Sequence, residues 1–497
     1  MPDLRHRRGT LPRLGLLGVT ALFACQFESS FAPAIGDSDA SVPRNAPSGS
    51  LCPGAAGSGF ALPLAGNVTR PFEQSMGSVP CAAGKGSYDF ALIDMDGDLR
   101  EDLVVTRSCD DPSVGLTTSW LVYRSSSAGF GAPVRYVLPV LSTVPGCIEE
   151  KLVDVDGDRR PDLLITSSCV DLSIGTSAWL LYANTGTAFE LAPRSFALPP
   201  AGAPGTFAPR VFSSLEQDTA QCDPFRSSRP AYAFFDLTGD LKPDFVFTSA
   251  CDDPNVGVSH WRVYPSTGAG VGPPIDFALP PGSTFAFPRG GDWACRPALS
   301  SPRYYVVDFD GDLKPDLVVT KSCSDVVNVG TNDWLVYTNT GTSFVASPRV
   351  VPLPLRGLTT TAPFDRLDQT VECASGAKLS HTLVDVDGDF KPDLVLTRDC
   401  LDHQVGALGW LVFLNDGSAL SGPSTYTLPD VLGATMSAPA TLEGEPLCDT
   451  SRPRAAFRAE HFFGPELDLL VTATCNDPTV GRTRWLAYRP SCLVPPR

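Results

Sequence analysis

The chain has 497 residues, with 55 Asp and Glu against 38 Lys and Arg, giving a formal net charge of −17. It shows no basic patch, and so acidic a surface argues against nucleic acid as a partner. The histidines His6, His260, His381, His403 and His461 recur in phase with nothing else, and no His-Glu-x-x-His, Gly-x-Ser-x-Gly or phosphate-cradling glycine loop occurs.

Met1 to Ala24 has a basic head (Arg5, Arg7, Arg8, Arg13) followed by the apolar run Leu14 to Phe23. That run is too short to span a bilayer, so residues 1–24 read as an export signal. It ends in Leu22-Phe23-Ala24-Cys25, which resembles the lipobox of bacterial lipoproteins. The resemblance implies lipidation of Cys25 and a place on the bacterial envelope, at the outer membrane or cell surface. A plain secretory cleavage is the alternative. Residues 25–50, rich in Ser, Ala, Pro and Gly without apolar periodicity, read as a flexible tether.

Residues 51–497 are repetitive. Removing Cys25 from 15 cysteines leaves an even 14. Six pairs fall in phase: Cys81 with Cys109, Cys147 with Cys169, Cys222 with Cys251, Cys295 with Cys323, Cys373 with Cys400, and Cys448 with Cys475. Cys52 and Cys492 remain as a seventh pair. Such regular pairing implies an oxidising, extracytoplasmic compartment, and each bridge should stabilise by roughly 3 kcal/mol in the chain-entropy model. The second cysteines, from Cys109 to Cys475, step by 60, 82, 72, 77 and 75 residues, and Trp120, Trp179, Trp261, Trp334, Trp410 and Trp485 step in parallel. Periods of this size mean a repeat architecture.

Within a repeat the strands read directly. In the first, Tyr88 to Ile93 leads into an acidic loop and Leu103 to Thr106 leaves it. A polar loop follows (Cys109-Asp110-Asp111-Pro112-Ser113-Val114-Gly115), then the strand Trp120-Leu121-Val122-Tyr123. A hairpin such as Asn184-Thr185-Gly186 leads to a fourth strand ending in Leu-Pro, as in Phe196-Ala197-Leu198-Pro199. Four short antiparallel strands repeated radially describe an all-β propeller of six blades. The last repeat stops after Trp485-Leu486-Ala487-Tyr488, whereas an unattached Gly59-Phe60-Ala61-Leu62-Pro63 stands at the beginning. The N-terminal strand is therefore expected to complete the C-terminal blade and close the ring, with Cys52–Cys492 replacing the missing hairpin.

The acidic loop has the form Asp-x-Asp-Gly-Asp-x-x-x-Asp and appears in five copies, between Asp94 and Asp102, Asp154 and Asp162, Asp236 and Asp244, Asp308 and Asp316, and Asp385 and Asp393. One copy would read as an ordinary turn, because Asp and Gly are turn residues. Five copies between apolar strands point to carboxylates at positions 1, 3, 5 and 9 converging on a hard cation, and oxygen-only ligands on a short turn select calcium. The third copy has Thr238 at position 3 and is expected to bind more weakly. A sixth, aligned without gaps from Glu460 to Cys475, keeps Asp468 but has Phe462 at position 3 and is expected not to bind.

The acidic loop with its following Pro-Asp-Leu-Val-Val-Thr, the Trp-Leu-Val-Tyr strand and the Asn-Thr-Gly hairpin resemble the FG-GAP/VCBS repeats, whose integrin members form calcium-bearing β-propellers. The resemblance covers residues 51 to 492. It implies calcium in the loop between the first two strands, on the lower face, and ligand recognition on the upper face. Carried over residue by residue, the implied ligands are Asp94, Asp96, Asp98 and Asp102; Asp154, Asp156, Asp158 and Asp162; Asp236, Asp240 and Asp244; Asp308, Asp310, Asp312 and Asp316; and Asp385, Asp387, Asp389 and Asp393. The family commonly has Gly at loop position 6, but here stand Leu99, Arg159, Leu241, Leu313 and Phe390. Four to five structural calcium ions are expected, five of which would bring the net charge from −17 to −7.

An aspartate follows the second cysteine of every repeat: Asp111, Asp171, Asp253, Asp325, Asp402 and Asp477. Capping of a turn is the favoured reading over catalysis. Packing between blades is favoured for the tryptophans over sugar stacking. The leading functional expectation is a non-enzymatic, lipid-anchored, monomeric binding or adhesion module for a glycan or protein, met through the variable loops Pro200 to Pro230, Pro281 to Pro302 and Leu355 to Leu379. A polysaccharide-active hydrolase or lyase on the same scaffold is the alternative.

Overall fold

The computed structural model describes residues 58–63, 72, 77–81, 86–115, 118–139, 147–200, 212–223, 227–288, 290–291, 294–296, 299–325, 327–354, 363–373, 376, 378–429, 443–444, 447–449, 452–464 and 466–488. The proposed signal, lipidation site Cys25, tether, Cys52 and Cys492 lie outside the described residues. All regular structure within them is β-strand, with no helix.

Each repeat is an antiparallel meander. Repeat two shows the plan: Ile148–Val153, Asp162–Ser168, Ala178–Tyr182 and Arg194–Ala197 pair in sequence order. The second strand is buried along its whole length, which is why it reads as an unbroken apolar run such as Asp-Leu-Leu-Ile-Thr rather than an alternation. The third strand alternates, and its tryptophan faces inward opposite a buried residue of the fourth. Those cross-strand pairs are Trp120–Tyr136, Trp179–Phe196, Trp261–Phe277, Trp334–Val351, Trp410–Tyr426 and Trp485–Phe60. All six indoles are at most 4% exposed, so they are packing residues and not sugar platforms.

Apolar clusters lie between repeats. One combines Trp120, Val122 and Tyr136 of repeat one with Leu163, Ile165 and Phe189 of repeat two. Equivalent clusters join repeats two and three, three and four, four and five, and five and six. A sixth joins Phe462, Leu470 and Trp485 of the last repeat to Tyr88, Phe90 and Val105 of the first. Burial between neighbours is the dominant stabilising term available to such an array.

Ser58–Ala61 pairs antiparallel with Arg484–Tyr488, as expected, and so gives repeat six its fourth strand. The pairing reproduces what the chain does internally elsewhere. Leu62 N–H donates to Thr483 O and Phe72 N–H to Gly481 O, as Leu198 donates to Ser177 and Phe212 to Gly175 in repeat two. A parallel bridge from Ala61 to Gly129 then continues into repeat one, matching the bridges Ala197 to Gly270 and Ala278 to Ser343 at later junctions.

Three features go beyond the four-strand expectation. A short extra strand precedes the first in five repeats, as in Gly77–Pro80 and Gln369–Glu372. A register shift occurs in every repeat near the start of strand one, for instance at Asp89/Phe90 and Ser380/His381. Two-stranded ribbons rise beside the disulfides of repeats three, four and six. The bridges Cys81–Cys109, Cys147–Cys169, Cys222–Cys251 and Cys373–Cys400 form with Cα separations of 5.0 to 5.9 Å, and Cys323 and Cys475 are disulfide-bonded as well. Strand two carries the chain from the acidic loop to the disulfide, so these features mark opposite ends of each repeat.

Candidate metal centres in the acidic loops

The turn of each loop is built by its first carboxylate. Asp154 Oδ1 accepts from Gly157 N–H at 2.8 Å and Oδ2 from Arg159 N–H at 2.7 Å. Asp94, Asp236, Asp308 and Asp385 repeat the pattern with the residues three and five positions on. Those bonds curl the backbone through positive φ twice. The position-4 glycines stand at 75 to 80°, and Leu99, Arg159, Leu241, Leu313 and Phe390 at 64 to 71°. These five are the only described non-glycine residues with positive φ. The left-handed turn is thus made without glycine at position 6, at roughly 1–2 kcal/mol of strain per residue, offset by the bond that its N–H donates.

The ninth-position carboxylates are structural too. Asp162 is fully buried; its Oδ2 accepts from Val155 N–H at 3.2 Å, and Oδ1 from Asn184 N–H at 2.8 Å where the third strand ends. Asp102, Asp244 and Asp393 do the same, and Asp316 accepts from Asn339. The third position completes the group. In four loops, Asp94, Asp96 and Asp102; Asp154, Asp156 and Asp162; Asp308, Asp310 and Asp316; and Asp385, Asp387 and Asp393, one oxygen of each residue lies within 4.8 Å of the others. The Oδ1 atoms of Asp96, Asp156 and Asp310 are buried and accept no hydrogen bond.

Burial, reinforced by neighbouring carboxylates, pushes these groups upward. Asp94, Asp154, Asp308 and Asp385 rise to about 6, Asp102 and Asp162 to about 7, and Asp316 and Asp393 to about 8. Gathered negative charge of this kind is stabilised by a cation. A hard, oxygen-seeking ion suits the donor set, because each group offers carboxylate oxygens only and in three of the four a buried oxygen accepts no hydrogen bond.

The fifth position departs from expectation. Asp98, Asp158, Asp312 and Asp389 do not join the convergent groups; each accepts from the basic residue two positions on. Asp312 Oδ2 meets Lys314 Nζ at 2.8 Å, Asp389 Oδ2 meets Lys391 Nζ at 2.9 Å, and Asp158 meets the Arg160 guanidinium. In loop three Asp240 approaches Lys242, and with Thr238 at position 3 no group of three forms among Asp236, Asp240 and Asp244. Asp236 still rises to about 7, through burial and then Asp244.

Loop six differs more than a gapless alignment implies. Glu460 pairs with Asp468, whereas Ile93 pairs with Asp102 and Val153 with Asp162. The loop is therefore one residue shorter, and Phe462 takes the buried place of Met95 and Val155 at position 2 rather than position 3. Phe463 N–H donates to Asp468 Oδ2 at 2.7 Å, preserving the ninth-position staple.

Two further elements were hidden in the sequence. The hairpin asparagine clamps neighbouring loops: Asn339 Nδ2 donates to Leu237 O of loop three at 2.8 Å and to Pro315 O of its own loop at 3.0 Å. Asn184 and Asn415 make the equivalent pairs. In addition, buried Phe72, Phe212, Phe285 and Phe364 present a carbonyl to the indole N–H of Trp485, Trp179, Trp261 and Trp334 at 2.7 to 2.8 Å. The variable distance from the preceding Leu-Pro conceals their phase.

At the disulfide end, the aspartates cap turns. Oδ1 of Asp111, Asp171, Asp253, Asp325, Asp402 and Asp477 accepts the N–H of Ser113, Ser173, Asn255, Asn328, Gln404 and Thr479 at 2.9 to 3.0 Å. Hydrogen bonds from Ser113 and Arg135 hold Asp111 down at about 2, and those from Thr479 and Arg484 do the same for Asp477. Six of the nine exposed large apolar residues among the described residues stand on these loops: Val170, Leu172, Val258, Val327, Leu401 and Leu408. Segments 201–211, 224–226 and 355–362 of the long connections lie outside the described residues.

No known protein family matches the sequence, and no curated protein matches it. Among solved structures, the chain is similar to the Tc holotoxin pore of Photorhabdus luminescens, with 17% identity and a TM-score of 0.42 over 86% of this chain and 15% of that one. A lectin of Agrocybe aegerita that recognises non-reducing terminal N-acetylglucosamine shows 14% identity and a TM-score of 0.38 over 80% of each chain. An α-L-arabinofuranosidase of Fusarium graminearum shows 9% identity and a TM-score of 0.29 over 88% of this chain and 99% of that one.

Proposed function

We propose that residues 51–497 form a closed six-bladed β-propeller of the FG-GAP/VCBS kind, exported and lipid-anchored at Cys25 on a bacterial envelope. Its acidic loops hold calcium as a structural ion, and its disulfide end binds a partner. The observation that carries the calcium reading is the fourfold recurrence of three converging carboxylates, with a buried, unsatisfied oxygen in three of the four groups. The six interblade clusters and the docked N-terminal strand support closure.

The binding end is the disulfide end, where six exposed aliphatic side chains recur across four repeats. Aliphatic side chains gathered at one end favour a protein partner over a glycan, whose sugar faces stack on aromatic rings. The enzyme alternative has less support, since the loop carboxylates are tied to backbone N–H groups and the capping aspartates to their turns.

Calcium and partner are tested together. Thermal unfolding of the oxidised, mature protein should shift upward in millimolar calcium relative to chelator, each site held at ten times its dissociation constant adding about 1.4 kcal/mol. An unchanged midpoint contradicts the ion. Capture of envelope proteins by the native protein should be lost in the triple variant Leu172→Asp, Val327→Asp, Leu401→Asp at unchanged melting temperature. Polysaccharide turnover without capture would support the enzyme instead.

A further inference from the structure

Five repeats cover the free side of their first strand with the short extra strand, and repeat two does not. Phe90, Tyr232, Tyr304, His381 and Phe457 stand at one position of the first strand, each paired with a residue of the extra strand: Gly77, Gln217, Gly291, Gln369 and Gly444. The matching residue of repeat two is Glu150, which pairs with Ile165 of strand two as Phe90 pairs with Val105 and His381 with Leu396. Among the described residues, Ile148–Val153 is paired on one side only, as the end strand of a four-stranded sheet. The connection that supplies the extra strand elsewhere is cut short here. Pro139 lies 11 positions before Glu150, whereas Pro280 lies 24 before Tyr304 and Pro199 lies 33 before Tyr232, the extremes of the other repeats.

The side chains of this strand differ as well. Where the other repeats place an aromatic ring, repeat two has Glu150, half-buried, beside exposed Glu149. Among the described residues neither carboxylate has an ion-pair partner, and burial pushes that of Glu150 upward. At the head of the strand Cys169 N–H donates to Cys147 O at 2.8 Å. Val170 and Leu172, 78% and 60% exposed, therefore stand where the uncovered edge begins. A row of unpaired backbone N–H and C=O groups is a template for another strand.

We propose that the open edge of repeat two receives an extended segment of a partner protein, carrying Lys or Arg opposite Glu149 and Glu150. The proposal rests on the reading of the disulfide end as the binding end, and it names the element bound there. Backbone pairing supplies the affinity and alternate side chains the selectivity. Two adjacent carboxylates repel the same edge of a second copy and favour a cationic strand. An apolar side chain at the end of that strand would cover Val170 and Leu172.

The probe is an octapeptide of alternating Lys and Val, added to the full mature protein and followed by hydrogen exchange and calorimetric titration. Amides between Ile148 and Val153 should gain protection, and the first strands of the other repeats should not. A peptide alternating Glu and Val should bind at least about tenfold more weakly. A fully N-methylated peptide, which has no N–H to donate, should not bind. The double variant Glu149→Lys, Glu150→Lys, at unchanged melting temperature, should reverse the preference between the two charged peptides. No binding, equal binding of the methylated peptide, protection only elsewhere, or a peptide-free dimer paired through this edge overturns the proposal. So does envelope-protein capture that the triple aliphatic variant abolishes and the double variant leaves intact. Capture that survives the triple variant overturns instead the reading on which the proposal rests.

Discussion

At the acidic end, repeats one to five turn from first to second strand through gathered carboxylates, whereas repeat six turns through Phe462 and Phe463. The aromatic pair packs edge-on against Phe60 of the N-terminal strand, with centroids at 5.0 and 5.3 Å, and Phe462 also meets Trp485 at 5.9 Å. Both kinds of loop keep the ninth-position aspartate, as Asp162 or Asp468, fastening the backbone of position 2 or its neighbour. They differ in what fills the turn. The five acidic loops fill it with carboxylates, the first of which burial pushes above its ordinary range in every copy, and the sixth buries rings. The sixth stands where a strand from the far end of the chain docks, so the difference teaches that this seam is held by apolar contact and not by an ion supply. Aromatic pairs of this geometry contribute about 0.5–1.5 kcal/mol each beyond their buried area.

The comparison breaks most readily at the rings. Phe462→Ala should lower stability by about 3–5 kcal/mol in denaturant titrations, equally with calcium and with chelator. Any calcium dependence of that loss would mean that the seam is coupled to the ions. Next is Asp162→Ala, which strands the buried N–H groups of Val155 and Asn184 and should cost about 3 kcal/mol that saturating calcium does not restore. A smaller effect, about 1–2 kcal/mol, is expected for Asn339→Ala, which removes two bonds linking loops three and four. Repeat three already carries Ser266 at that place, so the corresponding Ser266→Ala should cost less. Smallest is Arg159→Gly, which releases the left-handed strain at φ 71° but adds chain freedom when unfolded, for a net gain below about 1 kcal/mol. A loss would show that the Arg159 side chain contributes more than its backbone strain costs.

Much of this was legible because the repeat averages over accidents. The buried second strands, the tryptophans, the in-phase cysteines and the N-terminal strand docking beside Trp485 follow from phase and composition alone. What a linear pattern hides is direction. Asp98, Asp158, Asp312 and Asp389 occupy the spacing of a ligand, yet a Lys or Arg two residues later draws them away from the convergent group. Phe462 looks like a replaced ligand until the pairing of Glu460 with Asp468 shows a deletion. Asn339 reads as a hairpin residue because its second partner, Leu237, is 102 positions away. Leu and Phe do not announce positive φ, and the bonds that the Leu313 and Phe390 N–H groups donate to Asp308 and Asp385 reveal why they adopt it.

The most direct test of the contrast between the loops is hydrogen exchange, resolved to individual amides, in calcium and in chelator. Calcium should slow exchange at the position-4 and position-6 amides of loops two, four and five, including Gly157, Arg159, Leu313 and Phe390, while Phe463 in loop six exchanges equally in both conditions. Unchanged exchange in the acidic loops, or protection of Phe463 as large as theirs, would contradict the account.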